Sequence, residues 1–271
     1  MNGHPTPQRS ASPEGGTDEA IIIVKAAPQL SSRHGETVCT AGITRGRQWV
    51  RLYPIAFRTL QDAQQFRRWD VVRYTWQPPR DDKRVESRRL HHHSLMIAGS
   101  FPPGERYGLV APMVKESLEE ESRRGLSFAF IRPSIRAFIV ERKSAQELEE
   151  EGQKFEEAAK QTDLFLAPIV PYQPCPYRFK YEYETKAGKR TGTCQDWETE
   201  ATFFNWRRQY SEEQALKHMG ERWGEELPAK GLLFAMGTHS QYPDTWLING
   251  LIQMAEVEPA HVGFRVNRAP R

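Results

Sequence analysis

Residues 176–184 read Pro-Tyr-Arg-Phe-Lys-Tyr-Glu-Tyr-Glu, and aromatic and charged side chains alternate through this stretch without a break. A period of two predicts a β-strand with Tyr177, Phe179, Tyr181 and Tyr183 on one face and the charges on the other. Such an aromatic face either covers a core or forms a platform on which flat nucleobases stack. The function that the sequence supports therefore depends on whether these four rings are covered.

The segments that follow this strand predict an α+β domain. Ser211 with Gln214 three residues later is a capping box, the signature of a helix start. The predicted elements are a return strand over 190–195, helices over 196–209 and 211–223, and strands over 232–236 and 246–254 that flank a turn at 242–245. We expect an antiparallel sheet with two helices over residues 166–271. The domain begins among four prolines between residues 167 and 176, which favour neither helix nor sheet.

The first half of the chain predicts a small β-barrel. Gly46 lies in a short loop between apolar segments 37–43 and 48–53, which indicates a β-hairpin. Further strands are predicted over 20–25, 70–76, 85–94 and 138–140, and helices over 60–69, 118–124 and 144–160. We expect a basic, OB-like β-barrel domain over residues 19–165 and a disordered leader over residues 1–18. The fold class is therefore α+β, with the β-rich barrel in the N-terminal half.

Charge is distributed unevenly along the 271 residues, although the net charge is only +3. Residues 33–90 contain thirteen Lys and Arg against six Asp and Glu, a surplus of seven positive charges. Most of these cations are arginines, whose planar fork suits phosphate. A polyanion is therefore the expected partner of the first half. The alternative is that these side chains form an ordinary solvated surface.

Several classes of protein are excluded or disfavoured. The longest apolar runs are far shorter than the roughly 20 residues that span a bilayer, so no membrane contact is expected. Residues 1–20 do not resemble a secretory signal, which makes the cytoplasm the expected compartment. The three cysteines are too few and too widely spaced for a disulfide framework. Phosphate-binding loop, dinucleotide-binding and nucleophile-elbow motifs do not occur in the sequence.

Two passages carry a resemblance to a known family. Residues 37–43, Thr-Val-Cys-Thr-Ala-Gly-Ile, and 49–54, Trp-Val-Arg-Leu-Tyr-Pro, resemble the opening of a prokaryotic family with a dual OB-containing domain that is associated with nucleic-acid transactions. The second passage is similar to the second half of proteins that share this opening; it comprises residues 177–183, Asp196-Trp197-Glu198, Gly237-Thr238-His239 and Trp246-Leu247-Ile248. The resemblance implies OB-like barrels and contact with nucleic acid.

The resemblance also bears on metals. Relatives carry additional Cys and His between the aromatic strand and the Asp-Trp-Glu, whereas this chain has only Cys194 there. The run His91-His92-His93 is also a poor candidate for a metal site, because neighbours on a strand point to opposite faces. We therefore expect no metal and no other cofactor.

The predicted nucleic-acid site combines cations with rings. Arg45, Arg47 and Arg51 are expected to contact phosphates from the first hairpin, and Arg178 and Lys180 to do so from the aromatic strand. The candidate base-stacking side chains are Trp49, Tyr53, Tyr177 and Phe179. The alternative for the last two is that they pack beneath the predicted helices.

Two other functions remain open from the sequence. Asp196, Glu198 and His239 could hold a divalent metal in a nuclease, although a helix would point the two carboxylates about 200° apart. The simpler interpretation is that Asp196 caps a helix and that Glu198 is stabilised near the positive N-terminal end of that helix. The acidic helix over 144–160 could instead dock a protein partner, as an adaptor in a defence or modification complex.

Overall fold

The computed structural model describes residues 15–31, 35–61, 64–80, 82–160, 170–239 and 242–254. The strands of the first half are β1 (Gly16–Lys25), β2 (Gln29–Ser31), β3 (Gly35–Thr37), β4 (Thr40–Ile43), β5 (Trp49–Tyr53), β6 (Asp70–Gln77), β7 (Ser87–Leu90) and β8 (Met96–Ser100). β1 begins inside the segment 1–18 that the sequence assigned to a leader. Residues 1–14 lie outside the described residues.

Five of these strands close a barrel. β1 pairs with β4, β4 with β5 and β6 with β1, all antiparallel, while β5 pairs with β7 in parallel and β7 returns antiparallel to β6. If these five strands are numbered by their order in the chain, their order around the ring is first, second, third, fifth and fourth. This is the arrangement of the OB-fold. β8 adds to the outer edge of β6. The predicted OB-like barrel and the α+β class are confirmed.

The helix predicted over residues 60–69 is wrong. Phe57–Thr59 form a single 3₁₀ turn, and residues 65–69 follow an irregular path. Trp69 adopts a positive φ of 74°, which an α-helix excludes, and its N–H donates to the carbonyl of Ile22. Phe66 is fully buried in the barrel core. The apolar residues of this segment therefore close the end of the barrel instead of lining one helix face.

The second half begins with α1 (Arg106–Val110), β9 (Val114–Lys115) and α2 (Leu118–Arg123), followed by β10 (Phe128–Ile131), β11 (Ser134–Arg142) and α3 (Ala145–Lys160). After the aromatic strand β12 (Tyr177–Thr185) come β13 (Gly188–Thr193), α4 (Trp197–Arg207), α5 (Glu212–Met219), a π-helical segment (Gly220–Glu226), α6 (Leu227–Ala229), β14 (Leu232–Thr238) and β15 (Trp246–Gln253). The capping box at Ser211 and Gln214 is present.

The strand pairings of the second half repeat the order of the first barrel. β10 and β11 are separated by two residues and act as the two halves of one bent strand, because β10 pairs with β14 and β11 with β12. β12 pairs with β13, and β14 with β15. A single parallel bridge between Cys194 and Ile248 joins the end of β13 to β15 and completes the ring. The helices α4 to α6 lie between the third and fourth strands of this ring.

The predicted boundary between residues 165 and 166 falls inside 161–169, which lie outside the described residues, and it stays a prediction. Upstream of it, β10 and β11 already pair with strands of the second half. Their partners come later in the chain, so no local signal marks where the second barrel begins.

The aromatic face of β12 covers a core. Tyr177, Phe179, Tyr181 and Tyr183 are all buried, and the hydroxyl of Tyr181 donates to the carbonyl of Trp223 over 2.9 Å. Aromatic side chains of α4 and β14 pack against these rings. The prediction that Tyr177 and Phe179 stack bases is therefore wrong, because the helices need this face as their apolar partner.

The two barrels pack through their outer surfaces. Apolar side chains of β1 and β4 meet those of β10 and β14 in a continuous buried layer, which includes Ile23, Ala41, Phe130 and Leu233. At Gly250 a Cβ atom would approach the Val24 side chain to 3.2 Å, closer than most such contacts. Glycine there permits the close approach of the second barrel to β1.

Candidate nucleic-acid interface

The predicted contact residues on β5 face the second barrel. The Trp49 ring stacks on Phe128 with centroids 4.9 Å apart and also touches Phe130 at 4.7 Å. The Arg51 side chain is 4% exposed, and its guanidinium lies 4.2 Å from the centre of the Phe128 ring. Tyr53 is half-buried at the end of the same strand. Trp49 and Arg51 therefore hold the barrels together. Burial contradicts the predicted phosphate contact of Arg51, whereas the base-stacking role of the partly buried Trp49 stays a prediction.

Arg51 lacks the partner that a buried cation usually has. Its guanidinium donates to the Cys39 thiol over 3.5 Å and to the Ser127 hydroxyl over 3.4 Å, and no ion pair with a carboxylate is seen for it within the described residues. Burial lowers the pKa of Arg51. The Ser127 hydroxyl in turn donates to Glu86, which is also buried. This polar chain seals the seam between the barrels.

The hairpin tip behaves differently. Arg45 and Arg47 are exposed between β4 and β5. The tip has a fixed shape, because the Arg47 N–H donates to Thr44 and Arg47 adopts a positive φ of 59°. Its guanidinium donates to the carbonyl of Gly108 over 3.3 Å, a neutral acceptor, and has no carboxylate partner among the described residues. Both arginines lie where a phosphate could reach them.

The predicted cations of the aromatic strand are neutralised within the chain. Arg178 pairs with Glu141 and with Glu147 of α3, and Lys180 pairs with Glu141 over 2.5 Å. Hydrogen bonds from Arg178 and Ser144 lower the pKa of Glu147 to about 2. Arg178 and Lys180 are thus poor candidates for phosphate contact.

A second basic segment lies in the β6–β7 loop. Arg80 and Lys83 are exposed there, whereas Arg84 forms a bidentate pair with Asp82 at 2.6–3.1 Å. Burial alone would raise the pKa of Asp82, but hydrogen bonds from Arg84 and Ser87 outweigh it, and the pKa is lowered. The carboxylate therefore stays ionised and fixes the base of the loop.

β7 continues this basic segment with Arg88 and Arg89. The Arg88 guanidinium lies 4.2 Å from the centre of the Trp76 ring and donates to two backbone carbonyls. Arg89 is half-buried beside Tyr53 in the parallel register of β5 and β7. Both cations belong to the charge surplus of residues 33–90, but no local sequence pattern assigns them to a site.

The hairpin tip and the β6–β7 loop leave the first barrel at the same end. β5 and β7 are parallel neighbours that pair from Arg51 and Ser87 onward, so the loops that precede them lie side by side. Six cations on these two loops and on β7 have no carboxylate partner among the residues that the structure describes. We call them the basic end: Arg45, Arg47, Arg80, Lys83, Arg88 and Arg89.

The cations of β11, β12 and β13, together with the loop between β12 and β13, contrast with the basic end. Most of them are ion-paired with glutamates of neighbouring elements. These cations are Arg136, Arg142, Arg178, Lys180, Lys186 and Arg190. Exposed cations without a carboxylate partner in the described residues also occur in the second half, at Arg123, Lys189 and Arg208 among others, so the basic end differs in gathering six such cations on neighbouring elements.

A turn of the second barrel reaches the basic end. Arg84 donates from Nη1 to the carbonyl of Thr238 over 3.1 Å, which ties the β6–β7 loop to the β14–β15 turn. In this turn the rings of His239 and Tyr242 lie with centroids 5.1 Å apart and planes inclined by 33°. The Tyr242 side chain is 65% exposed. The sequence indicated the turn at 242–245 but gave no reason to assign Tyr242 a role.

The acid and imidazole groups of the nuclease hypothesis do not converge. Asp196 is 1% exposed; it caps α4, accepts from the Leu251 N–H over 2.7 Å and pairs with Arg68 at 2.7 Å. Glu198 faces the same arginine at 3.4 Å. The His239 N–H donates to the carbonyl of Thr245, which precedes β15 and is six residues from Leu251, or about 20 Å at strand spacing. The predicted set is wrong because Asp196 serves the junction between the barrels.

Within the described ranges, no cluster of three or more His, Cys, Asp or Glu side chains has an arrangement that could hold a metal ion. No helix in the part of the chain that the structure describes is long and apolar enough to cross a bilayer.

Comparison with known proteins places the chain in a family. It is similar to the crystal structure of the tetrameric p202 HIN2, with a TM-score of 0.31 and 6% identity over 87% of each chain. It is also similar to a replication protein A heterotrimer bound to ssDNA, with a TM-score of 0.24 and 10% identity over 90% of this chain and 67% of that one. Likeness at these TM-scores supports no functional conclusion. No curated protein sequence matches the chain.

Family models divide the chain near α1. The domain of unknown function DUF8758 matches residues 17–111, which include the first barrel. The domain of unknown function DUF8757 matches residues 112–266, more than half of the sequence. The chain therefore belongs to the DUF8757 family, with a DUF8758 domain preceding the family's own.

Proposed function

We propose that this protein binds nucleic acid through phosphate contacts at the basic end of the first barrel. The observation that carries the proposal is the group of six cations that have no carboxylate partner within the described residues. A cation that its own chain neutralises gains little from a phosphate, whereas an uncompensated one releases the counterions of the nucleic acid.

The packing of the barrels decides which surface is available. OB-folds commonly bind oligonucleotides across the second and third strands. In the first barrel these strands are β4 and β5, and Trp49 and Arg51 on their outer face are covered by Phe128. A ligand that avoids this covered face still reaches the hairpin tip and the β6–β7 loop, which project from the end of the barrel.

The residue types suit a sequence-independent contact. Five of the six cations are arginines, which present a planar fork to phosphate oxygens. Arg88 is held against Trp76, and the Arg47 side chain donates to the Gly108 carbonyl, so part of the side-chain ordering is complete before binding. DNA and RNA both carry the phosphates that this surface would contact.

The test is fluorescence anisotropy with labelled oligonucleotides over a salt series. For single strands, each phosphate contact adds about 0.7 to the slope of log affinity against log salt concentration. We expect the variant Arg80→Ala/Lys83→Ala to bind more weakly and to lose about 1.4 from the slope.

The matched control removes the same charge elsewhere. Lys217→Ala/Lys230→Ala changes two exposed lysines on the helices of the second barrel. We expect wild-type affinity and slope for this control. An affinity that does not depend on salt, or an equal loss in both variants, would reject phosphate-led binding at the basic end.

The exposed acids of α3 favour a second candidate function, the docking of a basic protein segment. Glu147 and Glu151 of this helix pair with Arg178 and Lys143, but other glutamates on it face solvent without a cation partner in the described ranges. Co-purification of a basic partner with the wild-type chain, and its loss with Glu149→Lys/Glu156→Lys, would support an adaptor role.

A further inference from the structure

We propose that Tyr242, backed by His239, stacks an unpaired nucleobase beside the basic end, so that the ligand of this protein is single-stranded. This inference rests on the proposed function, because it names the kind of nucleic acid that the same end of the molecule would hold. It replaces the stacking role that the sequence assigned to Tyr177 and Phe179, whose rings are buried.

The exposure of Tyr242 distinguishes it from other aromatic side chains of the described residues. It is 65% exposed, compared with 41% for Tyr210 on the far helical side of the second barrel. At the same end of the molecule, Trp49 is packed on Phe128, and Trp76 is buried beneath Arg88. Tyr242 thus presents a ring face that no described neighbour covers completely.

Three hydrogen bonds hold the described residues around Tyr242, which lie on either side of residues 240 and 241. The Tyr242 N–H donates to Nδ1 of His239 over 3.3 Å, and the Thr245 N–H donates to the Tyr242 carbonyl over 2.9 Å. The His239 N–H donates to the Thr245 carbonyl over 2.9 Å. The His239 ring, inclined by 33°, supports one face of the tyrosine and leaves the other for a base.

The turn lies beside cations that could contact the phosphates of a strand whose base stacks on Tyr242. The hydrogen bond from Arg84 to the Thr238 carbonyl brings the residue before His239 against the residue after Lys83. Arg84 is itself fixed by Asp82, so the junction between the two loops has a defined geometry. A strand whose base stacks on Tyr242 would have its phosphates beside Lys83 and the other cations of this loop. Stacking surface beside backbone-binding charge is the combination that single-strand binding requires.

The ligand must be single-stranded because the bases of a duplex are already stacked on their neighbours. Stacking of one base on one ring contributes about 5- to 150-fold in affinity, the equivalent of about 1 to 3 kcal/mol. We therefore expect a preference for single strands over duplex of the same length, with little dependence on sequence, since every base has a flat face.

The experiment compares three tyrosine variants on three probes. The variants are Tyr242→Ala, Tyr242→Phe and the control Tyr210→Ala, each checked for native circular dichroism. The probes are a single-stranded oligonucleotide, its duplex, and a deoxyribose-phosphate chain of the same length without bases, all measured by anisotropy at one low salt concentration.

The expected result is a 5- to 150-fold loss for Tyr242→Ala on the single strand, with Tyr242→Phe and Tyr210→Ala close to wild type. On the probe without bases, wild type and Tyr242→Ala should bind equally. Equal affinities of wild type and Tyr242→Ala for the single strand would overturn the stacking role while leaving phosphate-led binding intact. Failure of the wild-type protein to bind any of the probes would contradict the proposed function itself.

Discussion

Arg68 and Asp196 are separated by 128 residues in the sequence, yet Nη2 of Arg68 lies 2.7 Å from Oδ2 of Asp196. Arg68 comes from the segment that closes the first barrel, and Asp196 caps α4 of the second. The same arginine donates from Nη1 to the Leu251 carbonyl over 2.5 Å, and the Leu251 N–H donates to Asp196. One buried ion pair thus joins a loop of one barrel to a helix and a strand of the other.

Breaking this pair should destabilise the protein strongly. Asp196→Ala leaves the Leu251 N–H buried without a partner and the Arg68 charge with only Glu198 at 3.4 Å, which costs about 3 to 5 kcal/mol in the free energy of unfolding. Urea unfolding measures the loss. The control is Arg73→Ala, which removes an exposed pair with Glu19 and should cost at most about 1 kcal/mol. Similar losses of unfolding free energy in the two variants would mean that Asp196 does not stabilise the junction between the barrels.

Arg51 should matter for stability and not for nucleic-acid binding. Arg51→Met keeps much of the packing on Phe128 but removes the charge from the seam between the barrels. We expect the salt dependence of nucleic-acid binding to be unchanged, because a side chain that is 4% exposed cannot reach a phosphate. Arg45→Met, the matched change at the hairpin tip, should lower the slope by about 0.7 for a single strand. A lowered slope for Arg51→Met would show that the barrels separate on binding.

The aromatic strand should respond as a core element. Phe179 is 1% exposed, and Phe179→Ala should cost about 3 to 5 kcal/mol in the free energy of unfolding, since it opens a cavity under α4. Tyr242→Ala, at an exposed turn, should change stability by at most about 0.5 kcal/mol. Denaturant midpoints compare the two variants. The reverse order would indicate that the turn, and not β12, packs against a core.

Acid should remove the contribution of Glu147. Hydrogen bonds from Arg178 and Ser144 bring its pKa from the ordinary 4.5 to about 2 in the folded protein. A carboxyl whose folded pKa is below its unfolded pKa stabilises the protein above the unfolded pKa, and this stabilisation is lost as the pH falls toward the folded pKa.

The measurement is the urea midpoint between pH 2 and pH 6. Glu147→Gln should flatten the decline of stability between about pH 4.5 and pH 2 relative to wild type. Glu149→Gln is the control, because its carboxylate accepts from the Gln153 side chain and pairs with no cation in the described residues. If the urea midpoint of Glu147→Gln fell with pH as steeply as that of wild type, Arg178 would not be the partner of Glu147 in solution.

Patterns local to the sequence predicted much of the secondary structure. Alternation at residues 177–183 was enough for β12, and the side-chain spacing at Ser211 and Gln214 was enough for the start of α5. These features depend on neighbours within a few residues. A period of two defines the faces of a strand but not what covers them, so the burial of Phe179 under α4 required the structure.

The candidate site was harder to predict because long-range packing reassigns residues. Arg51 and Trp49 have the residue types of a nucleic-acid contact, but Phe128, which covers both, lies more than 70 residues later. Asp196 likewise has the residue type of a metal-binding or catalytic carboxylate, but in the structure it pairs with Arg68. Cations of residues 33–90 that lie on the loops at the barrel end stay exposed, since loops there have fewer long-range neighbours than strand faces have.

The hydrogen bond between Arg84 and the Thr238 carbonyl has a thermodynamic consequence. Neither barrel alone carries both the loop cations and the Tyr242 turn, so the proposed surface is complete only while the barrels are docked. Affinity for a strand and the free energy of docking are then linked, and each must strengthen the other by the same amount. Substitutions buried at Ile23 or Leu233, far from any phosphate, would therefore weaken binding as far as they loosen the docked state.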